Sequence, residues 1–478
     1  MSATLIGFIV YLIAMLAFGI FTYRKNESNT DYYLGGRQMN PWVVALSERS
    51  SGESAWLLLG LPGAALAFGI VEIWTALGCL MGIFFYWYAI ATEIRKQSES
   101  FNAITLPDVF ANRFSKGSVV LRFTAMLIII FFFTFYLAAQ FNGAGKVLNV
   151  TFGIDTFYGM LIGASVIILY TMLGGFLAVV WTDFVQGLLM IAALVILPVA
   201  GLIEVNATGH SLQTAMDSVG GTYLSLSGGK TGWAAVAVVV SGLSWAFGYM
   251  GQPHLLTKFM SIKDPEKIKT SRRIAFFWAV PAFAGALIIG FCGLALYGQD
   301  YFTDVEKVMP HLAIDLLPQW IAGVLISAAI AAMMSTADGQ LLVISSTVSE
   351  DFCHHILGIN LSPKSMVNLS RIVTISVGIV AFVIAVTSGK LIFAMVSYAW
   401  SGLGSSFGPA ILLMLWWKKI TWQGVFAGML TGSVLTIVWS EIQVLDQAVS
   451  VRFASFVLAF IAIVVVSRLT AGKTKTVN

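Results

Sequence analysis

Long apolar runs alternate with short polar ones along the whole chain. Thirteen of the runs reach the length of a membrane helix: 3–22, 41–68, 71–92, 119–146, 155–174, 177–203, 232–257, 271–297, 319–350, 367–388, 391–417, 421–441 and 450–468. A bilayer core needs about 20 mostly apolar residues per helix. Runs of this length exclude the short alternating segments of a β-barrel. The pattern therefore predicts an all-α polytopic membrane protein with 13 transmembrane helices. It divides into an extra helix and loop (1–40), a first group of five helices (41–205), an outer loop (206–231), a second group of five (232–417), and two final helices with a short tail (418–478).

Each group of five opens on an interrupted helix. The first interruption lies in Ser47–Gly63, which places two acids, Arg49 and three glycines inside an apolar span, with the break expected at Ser50-Ser-Gly-Glu53. The second is Trp245-Ala-Phe-Gly248-Tyr249-Met-Gly251-Gln-Pro253-His254, where Pro removes a backbone donor. An odd number of helices per group inverts the second copy. Paired broken helices in inverted halves point to the midplane site of a secondary transporter.

Charged groups at membrane depth are expensive and usually mark a pathway. Unwinding at Ser50–Glu53 frees carbonyls that suit a hard cation, and Arg49 and Glu53, spaced i, i+4, pair if the turn between them stays helical. Ala332, Ser335 and Thr336 lie one turn apart and offer a carbonyl and two hydroxyls; taken alone, those hydroxyls suit bonds within their own helix better. Asp338 needs a proton or a partner, Arg49 or another group. Asp183 suits an ion path or, equally, a helix-end carboxylate in water. Trp245, Tyr249 and Tyr136 suit an aromatic wall with phenol handles. His254 reads as a capping or loop group.

Composition sharpens the class. The chain is 58% hydrophobic and 10% charged, with mean hydropathy +0.86, against about 25% charged for soluble domains. Its 27 Lys and Arg divide unevenly: 21 in one set of loops, five (Lys146, Lys230, Lys307, Lys390 and Arg452) in the other, and Arg49 within the membrane. The richer set, which includes Arg95, Arg122 and Lys258, is cytoplasmic by the positive-inside rule. That places the N-terminus outside and the C-terminus inside. Residues 2–22 lack a basic start and read as a first span rather than a cleaved signal. Cys79, Cys292 and Cys353 form no disulfide or metal spacing. No segment is long enough for a soluble catalytic domain, and no Gly-x-x-x-x-Gly-Lys motif suggests nucleotide drive. The expectation is a non-enzyme with a bilayer, a small solute and an ion as partners, and no nucleic acid. Oligomeric state is not legible.

Four ordered motifs carry a resemblance. They are Trp56-Leu-Leu-Leu-Gly-Leu-Pro-Gly-Ala64, Gly174-Gly-Phe-Leu-Ala-Val-Val-Trp-Thr-Asp183, Gly248–His254, and Met334-Ser-Thr336 with Ser346–Asp351; Tyr33-Leu-Gly-Gly-Arg37 adds to them. From about residue 30 to 420 the chain resembles the sodium:solute symporter family, in particular its bacterial sodium/proline symporters. The resemblance implies a LeuT-like 5+5 inverted-repeat core in a bacterial inner membrane and Na⁺-coupled uptake by alternating access. It implies a sodium site of Ser50, Glu53, Ala332, Ser335 and Thr336, with backbone oxygens from the first three. It implies a solute pocket involving Ser54, Ala55, Tyr136, Trp245, Tyr249 and Pro253, and Asp183 as a position for a second sodium or along the ion path; beyond the family pattern, Gln140 and Asp338 add polarity near the pocket, and Asp338 reads as a second ion or proton position. Arg49 and Gly52 depart from the proline pattern, which has an Asp at position 52. The solute is thus proline or a related amino acid, or another carboxylate such as sialic acid, with Na⁺ or H⁺ as coupling ion. A membrane sensor built on the same fold is the rival class.

Overall fold

The structure, a computed structural model, describes residues 3–23, 33–114, 116–173, 175–359 and 362–471. Arg24, Lys25, Lys473 and Lys475 of the basic set, the side chain of Lys364, and Gly174 of the second motif lie outside the described residues.

Among the described residues all regular structure is helical, apart from one parallel bridge between Met39 and Ile262. Nine runs are long and apolar enough to cross a membrane: Pro41–Ala89, Ser118–Phe152, Phe176–Ala207, Gly232–Tyr249, Pro265–Tyr297, Gln319–Ile356, Ser365–Thr387, Trp422–Glu441 and Val451–Thr470. The first holds two expected spans that part at Gly69. There φ is +80° and an added Cβ would sit 2.3 Å from the Tyr223 carbonyl oxygen, so both conformation and space require glycine. Ala3–Met15 and Thr156–Met172 are shorter apolar helices, and Ile392–Trp416 is a 25-residue helix. Each expected run therefore falls on a helix.

Local chemistry explains the ends. Asn40 caps Pro41–Ala55 by accepting the Trp42 N–H, with Pro41 in the first turn. Gly153 (φ +67°) closes Ser118–Phe152, which runs six residues past its expected end. Between Pro41–Ala89 and Ser118–Phe152 lies the helix Leu106–Arg113, opened by a Thr105/Asp108 capping box.

Large apolar side chains such as Phe277 and Ile203 face outward, as lipid contact requires. Of the nine membrane-length runs, Gln319–Ile356 is the most enclosed, with 83% of its most apolar stretch buried, and the helix Gln319–Ser346 forms most of it. That helix packs against Ala3–Tyr23, Pro41–Ala55, Ser118–Phe152 and Phe176–Ala207.

Both ends of this core are clamped by charge. Arg122 pairs with Asp108 and Asp351 (2.6 Å to the latter) at one end. Lys146 pairs with Glu306 (2.5 Å) and Asp304 (2.9 Å) at the other. Arg95, Arg122 and Lys258, expected in loops, are buried instead because each found acceptors inside the protein.

Candidate functional site

The first interruption is real but displaced. Backbone angles stay helical through Ser50–Glu53 and break at Ser54, with φ +40° and ψ −163°. A non-glycine residue there stores on the order of 1–3 kcal/mol of strain. A π-helical turn, Trp56–Gly60, follows. The break is held by side chains. The Ala55 N–H donates to Gln140 Oε1 (3.2 Å), and the Tyr136 hydroxyl donates to Ser54 Oγ (3.3 Å). Four and three residues upstream of this break, the carbonyls of Ser50 and Ser51 accept hydroxyls from the Gln319–Ser346 helix. Ser335 Oγ donates to Ser50 O (3.1 Å), Thr336 Oγ1 to Ser51 O (2.9 Å). Ser335 Oγ is also 3.1 Å from Ala332 O.

Ser50, Ala332, Ser335 and Thr336 are thus brought together as neutral oxygen donors. Glu53 is not. Its carbonyl accepts the Trp56 N–H, and its carboxylate binds Arg49 (2.7 Å) and the Tyr249 hydroxyl (3.1 and 3.2 Å). Ser51, absent from the expected set, joins it through its carbonyl and through its hydroxyl, which reaches Ser335 O at 2.7 Å.

Arg49 is fully buried between two acids. Its Nε donates to Glu48 Oε2 at 2.7 Å, its Nη2 binds Glu48 Oε1 and the Tyr86 hydroxyl (2.9 Å), and its Nη1 binds Glu53. Trp87 Nε1 completes the shell at Glu48 (3.2 Å). The i, i+4 pairing of Arg49 with Glu53 holds because the turn between them stays helical. The fork on Glu48, one residue away, is set by rotamer choice, to which sequence spacing is blind.

Asp183 is fully buried rather than in water. It pairs with Lys258 and accepts from Ser47 Oγ (2.7 Å) and Ser51 Oγ (3.0 Å). Ser51 therefore links the Asp183 carboxylate to the Ser335 backbone. Asp338 does not pair with Arg49: both its carboxylate oxygens are buried without a hydrogen-bond partner among the described residues, as is Asp183 Oδ1. The two carboxylates lie close enough for their charges to repel. His254 is buried too, with Nε2 3.3 Å from Ser51 O. Four buried carboxylates (Glu48, Glu53, Asp183, Asp338) thus face two buried bases (Arg49, Lys258) around the break.

The second interruption falls between the helices Trp245–Tyr249 and Pro253–Met260. Gly52 faces Leu255 of the latter helix. Trp245 stacks on Trp56 at 4.9 Å, Tyr249 meets Trp400 edge-on at 4.5 Å, and Trp400 lies 6.4 Å from Tyr136. These contacts join Ser54, Ala55, Tyr136, Gln140, Trp245 and Tyr249 into one cluster, with Pro253 opening the next helix. Trp56, the first residue of the first motif, and Trp400 complete the walls; nothing in its apolar surroundings marks Trp400 in the sequence.

The sodium:solute symporter model matches residues 32–432. The chain belongs to this family. It is 38% identical over 444 residues to the sodium/proline symporter of Escherichia coli (strain K12), covering 91% of this chain and 88% of the relative. It is 37% identical over 467 residues to the high-affinity proline transporter PutP of Bacillus subtilis (strain 168), covering 97% and 98%. Among solved structures, a substrate-bound outward-open Na⁺-coupled sialic acid symporter matches with TM-score 0.78 and 19% identity over 100% of this chain and 99% of that one. MhsT in complex with L-phenylalanine matches with TM-score 0.56 and 16% identity over 91% and 99%. These likenesses establish a shared transporter fold. For a multi-pass membrane member of this family, the charged groups around the break are the feature to explain.

Proposed function

We propose that this protein is a Na⁺-coupled secondary active symporter that imports a small organic solute, proline or a related amino acid, by alternating access. The observation that carries the reading is the charge balance at the break. Four carboxylic groups share two bases in a low-dielectric core, so those left without a base must hold a proton or meet an entering cation. Na⁺ sits among Ser50 O, Ala332 O, Ser335 Oγ and Thr336 Oγ1, with Glu53 acting through Arg49 and Tyr249 rather than as a ligand. Asp183 and Asp338 take a second Na⁺ or a proton. The solute occupies the space bounded by Ser54, Ala55, Tyr136, Gln140, Trp245, Tyr249 and Pro253, and Arg49 and Gly52 tune its selection.

The architecture that fits this reading has 13 crossings, a 5+5 inverted-repeat core over 41–205 and 232–417, and a periplasmic N-terminus in a bacterial inner membrane. The driving force is adequate. One charge crossing about 100 mV supplies ~2.3 kcal/mol. A tenfold Na⁺ gradient adds roughly 1.4 kcal/mol, enough together for accumulation of several hundredfold. Proline-named relatives at 37–38% identity support the solute. The Glu48–Arg49–Glu53 group favours a second reading, a more polar carboxylate solute such as sialic acid.

The test is uptake and counterflow in proteoliposomes with proline, other amino acids, pantothenate and sialic acid, under Na⁺ or pH gradients. Uptake of proline that requires a Na⁺ gradient supports the first reading. Uptake indifferent to both gradients overturns symport.

A further inference from the structure

The helix that carries Ala332, Ser335 and Thr336 changes pitch at its far end: Thr347–Ile356 is a π-helical run of 10 residues. Such segments are mostly single turns and are frequent at functional sites. The pitch decides which side chains meet. An α-helix turns about 100° per residue, so residue i+5 points roughly 140° away from residue i. Bonding from i to i+5 widens the turn and sets i+4 and i+5 on either side of i. The Leu357 N–H on Phe352 O, at 2.9 Å, is one such bond.

Glu350, His354 and His355 therefore converge. His354 Nδ1 lies 3.5 Å from Glu350 Oε2, and the two imidazole centroids are 4.7 Å apart. His355 Nδ1 is 2.8 Å from the Glu350 carbonyl oxygen, which orients its ring. One ligand atom from each of the three residues lies within 4.8 Å of the other two. The Glu350 side chain is 3% exposed, whereas those of His354 and His355 are 48% and 37% exposed. A fixed carboxylate thus faces two imidazoles that open to water, on the side that the positive-inside rule assigns to the cytoplasm.

Two imidazoles and a carboxylate are a donor set for Zn²⁺ and similar ions, with a further position left for water. Ligand atoms around a tetrahedral zinc stand about 3.4 Å apart, so rotation of the exposed imidazoles closes the site. Asp108, Asp351 and His355 form a second triad just as close. That one is ruled out for a cation, because Arg122 already pairs with both of its carboxylates.

We propose that Glu350, His354 and His355 bind a divalent transition-metal ion of the Zn²⁺ class, and that the bound metal locks the cytoplasmic end of this helix. Asp351, next to Glu350, holds Arg122 at 2.6 Å and accepts the Thr105 hydroxyl at 2.8 Å. A metal that bridges Glu350 to His354 and His355 fixes the π pitch on which this clamp depends, and so opposes opening toward the cytoplasm. The binding site stands on side-chain geometry alone; the lock rests on the reading of the protein as an alternating-access symporter.

The test uses purified, tag-free full-length protein stripped of metal with EDTA. The wild type takes up one Co²⁺ per chain with the visible absorption of a tetrahedral site, and Zn²⁺ displaces it. His354→Ala and His355→Ala each weaken Zn²⁺ binding, followed by isothermal titration, by about a hundredfold, since loss of an outer-shell partner alone costs roughly 10–100-fold. Both imidazoles are exposed, so these variants keep the fold even where the buried Glu350→Gln does not. With Zn²⁺ supplied to both faces of proteoliposomes, Na⁺-driven proline uptake by the wild type falls severalfold and EDTA restores it. His354→Ala transports at the metal-free wild-type rate with or without Zn²⁺. Absence of Co²⁺ and Zn²⁺ binding by the wild type, or equal binding by both histidine variants, overturns the site. Binding that leaves uptake unchanged overturns the lock and supports the site. A wild type that binds Zn²⁺ but shows no Na⁺-driven proline uptake overturns the transport reading, and the lock with it, while the metal site stands.

Discussion

Replacing Arg49 by Gln tests whether the buried charge group is a working unit. The guanidinium makes contacts to both oxygens of Glu48, to Glu53 at 2.7 Å and to the Tyr86 hydroxyl at 2.9 Å, and all three charged side chains are fully buried. Gln is too short and has too few donors to replace this fork. Two carboxylates are then left facing each other without a base between them. Removing one partner of a buried ion pair costs about 3–5 kcal/mol. The thermal unfolding midpoint of the purified protein in detergent should therefore fall by roughly 5 °C or more. Adding Glu53→Gln should recover part of the loss, because it removes one orphaned charge and leaves Glu48 with Trp87; coupling of roughly 0.5–3 kcal/mol is expected for groups in contact. The reasoning is refuted if Arg49→Gln melts within about 1 °C of the wild type, or if the double variant is no more stable than the single one.

Three further outcomes follow from the same geometry. Ser335→Ala combined with Thr336→Ala removes two hydroxyl donors and should raise the half-saturating Na⁺ concentration for uptake by tenfold or more, at about 1 kcal/mol per lost contact; unchanged Na⁺ dependence would place the ion elsewhere. Asp338→Asn replaces a carboxylate that has no partner, so it should alter the pH dependence of uptake or the number of Na⁺ ions moved per solute, read by parallel ²²Na⁺ and solute flux; no change in either removes Asp338 from the ion path. Gly285→Ala places a Cβ 1.8 Å from the Leu194 carbonyl oxygen, whereas a Cβ at Gly221 meets nothing within 4 Å. The first should destabilise by about 1–3 kcal/mol in thermal unfolding, and Gly221→Ala should not.

Much of the site was legible because interruptions of an apolar run are local events. Pro253 and the glycines that precede it break a helix wherever that helix is placed, and Ser335 and Thr336 are adjacent hydroxyls one turn after Ala332 in an apolar run. The break expected at Ser50–Glu53 moved to Ser54 because two groups from the Ser118–Phe152 helix, Tyr136 and Gln140, take over the bonding of Ser54 and Ala55. Lys258 looked like a loop residue because its neighbours in sequence are cytoplasmic. Its partner Asp183 lies 75 residues away.

What the sequence by itself determined is which stretches are long apolar helices, which two of them are interrupted, and membership in the sodium:solute symporter family. Periodicity, hydropathy and helix-breaking residues act within one or two turns, so they survive without knowledge of neighbours. Which charges meet was decided only by tertiary structure. Glu48 rather than Asp338 holds Arg49, Lys258 rather than water holds Asp183, and Ser51 joins the oxygens of Ser335 and Thr336, because a buried polar group takes whatever partner packing brings within hydrogen-bond reach.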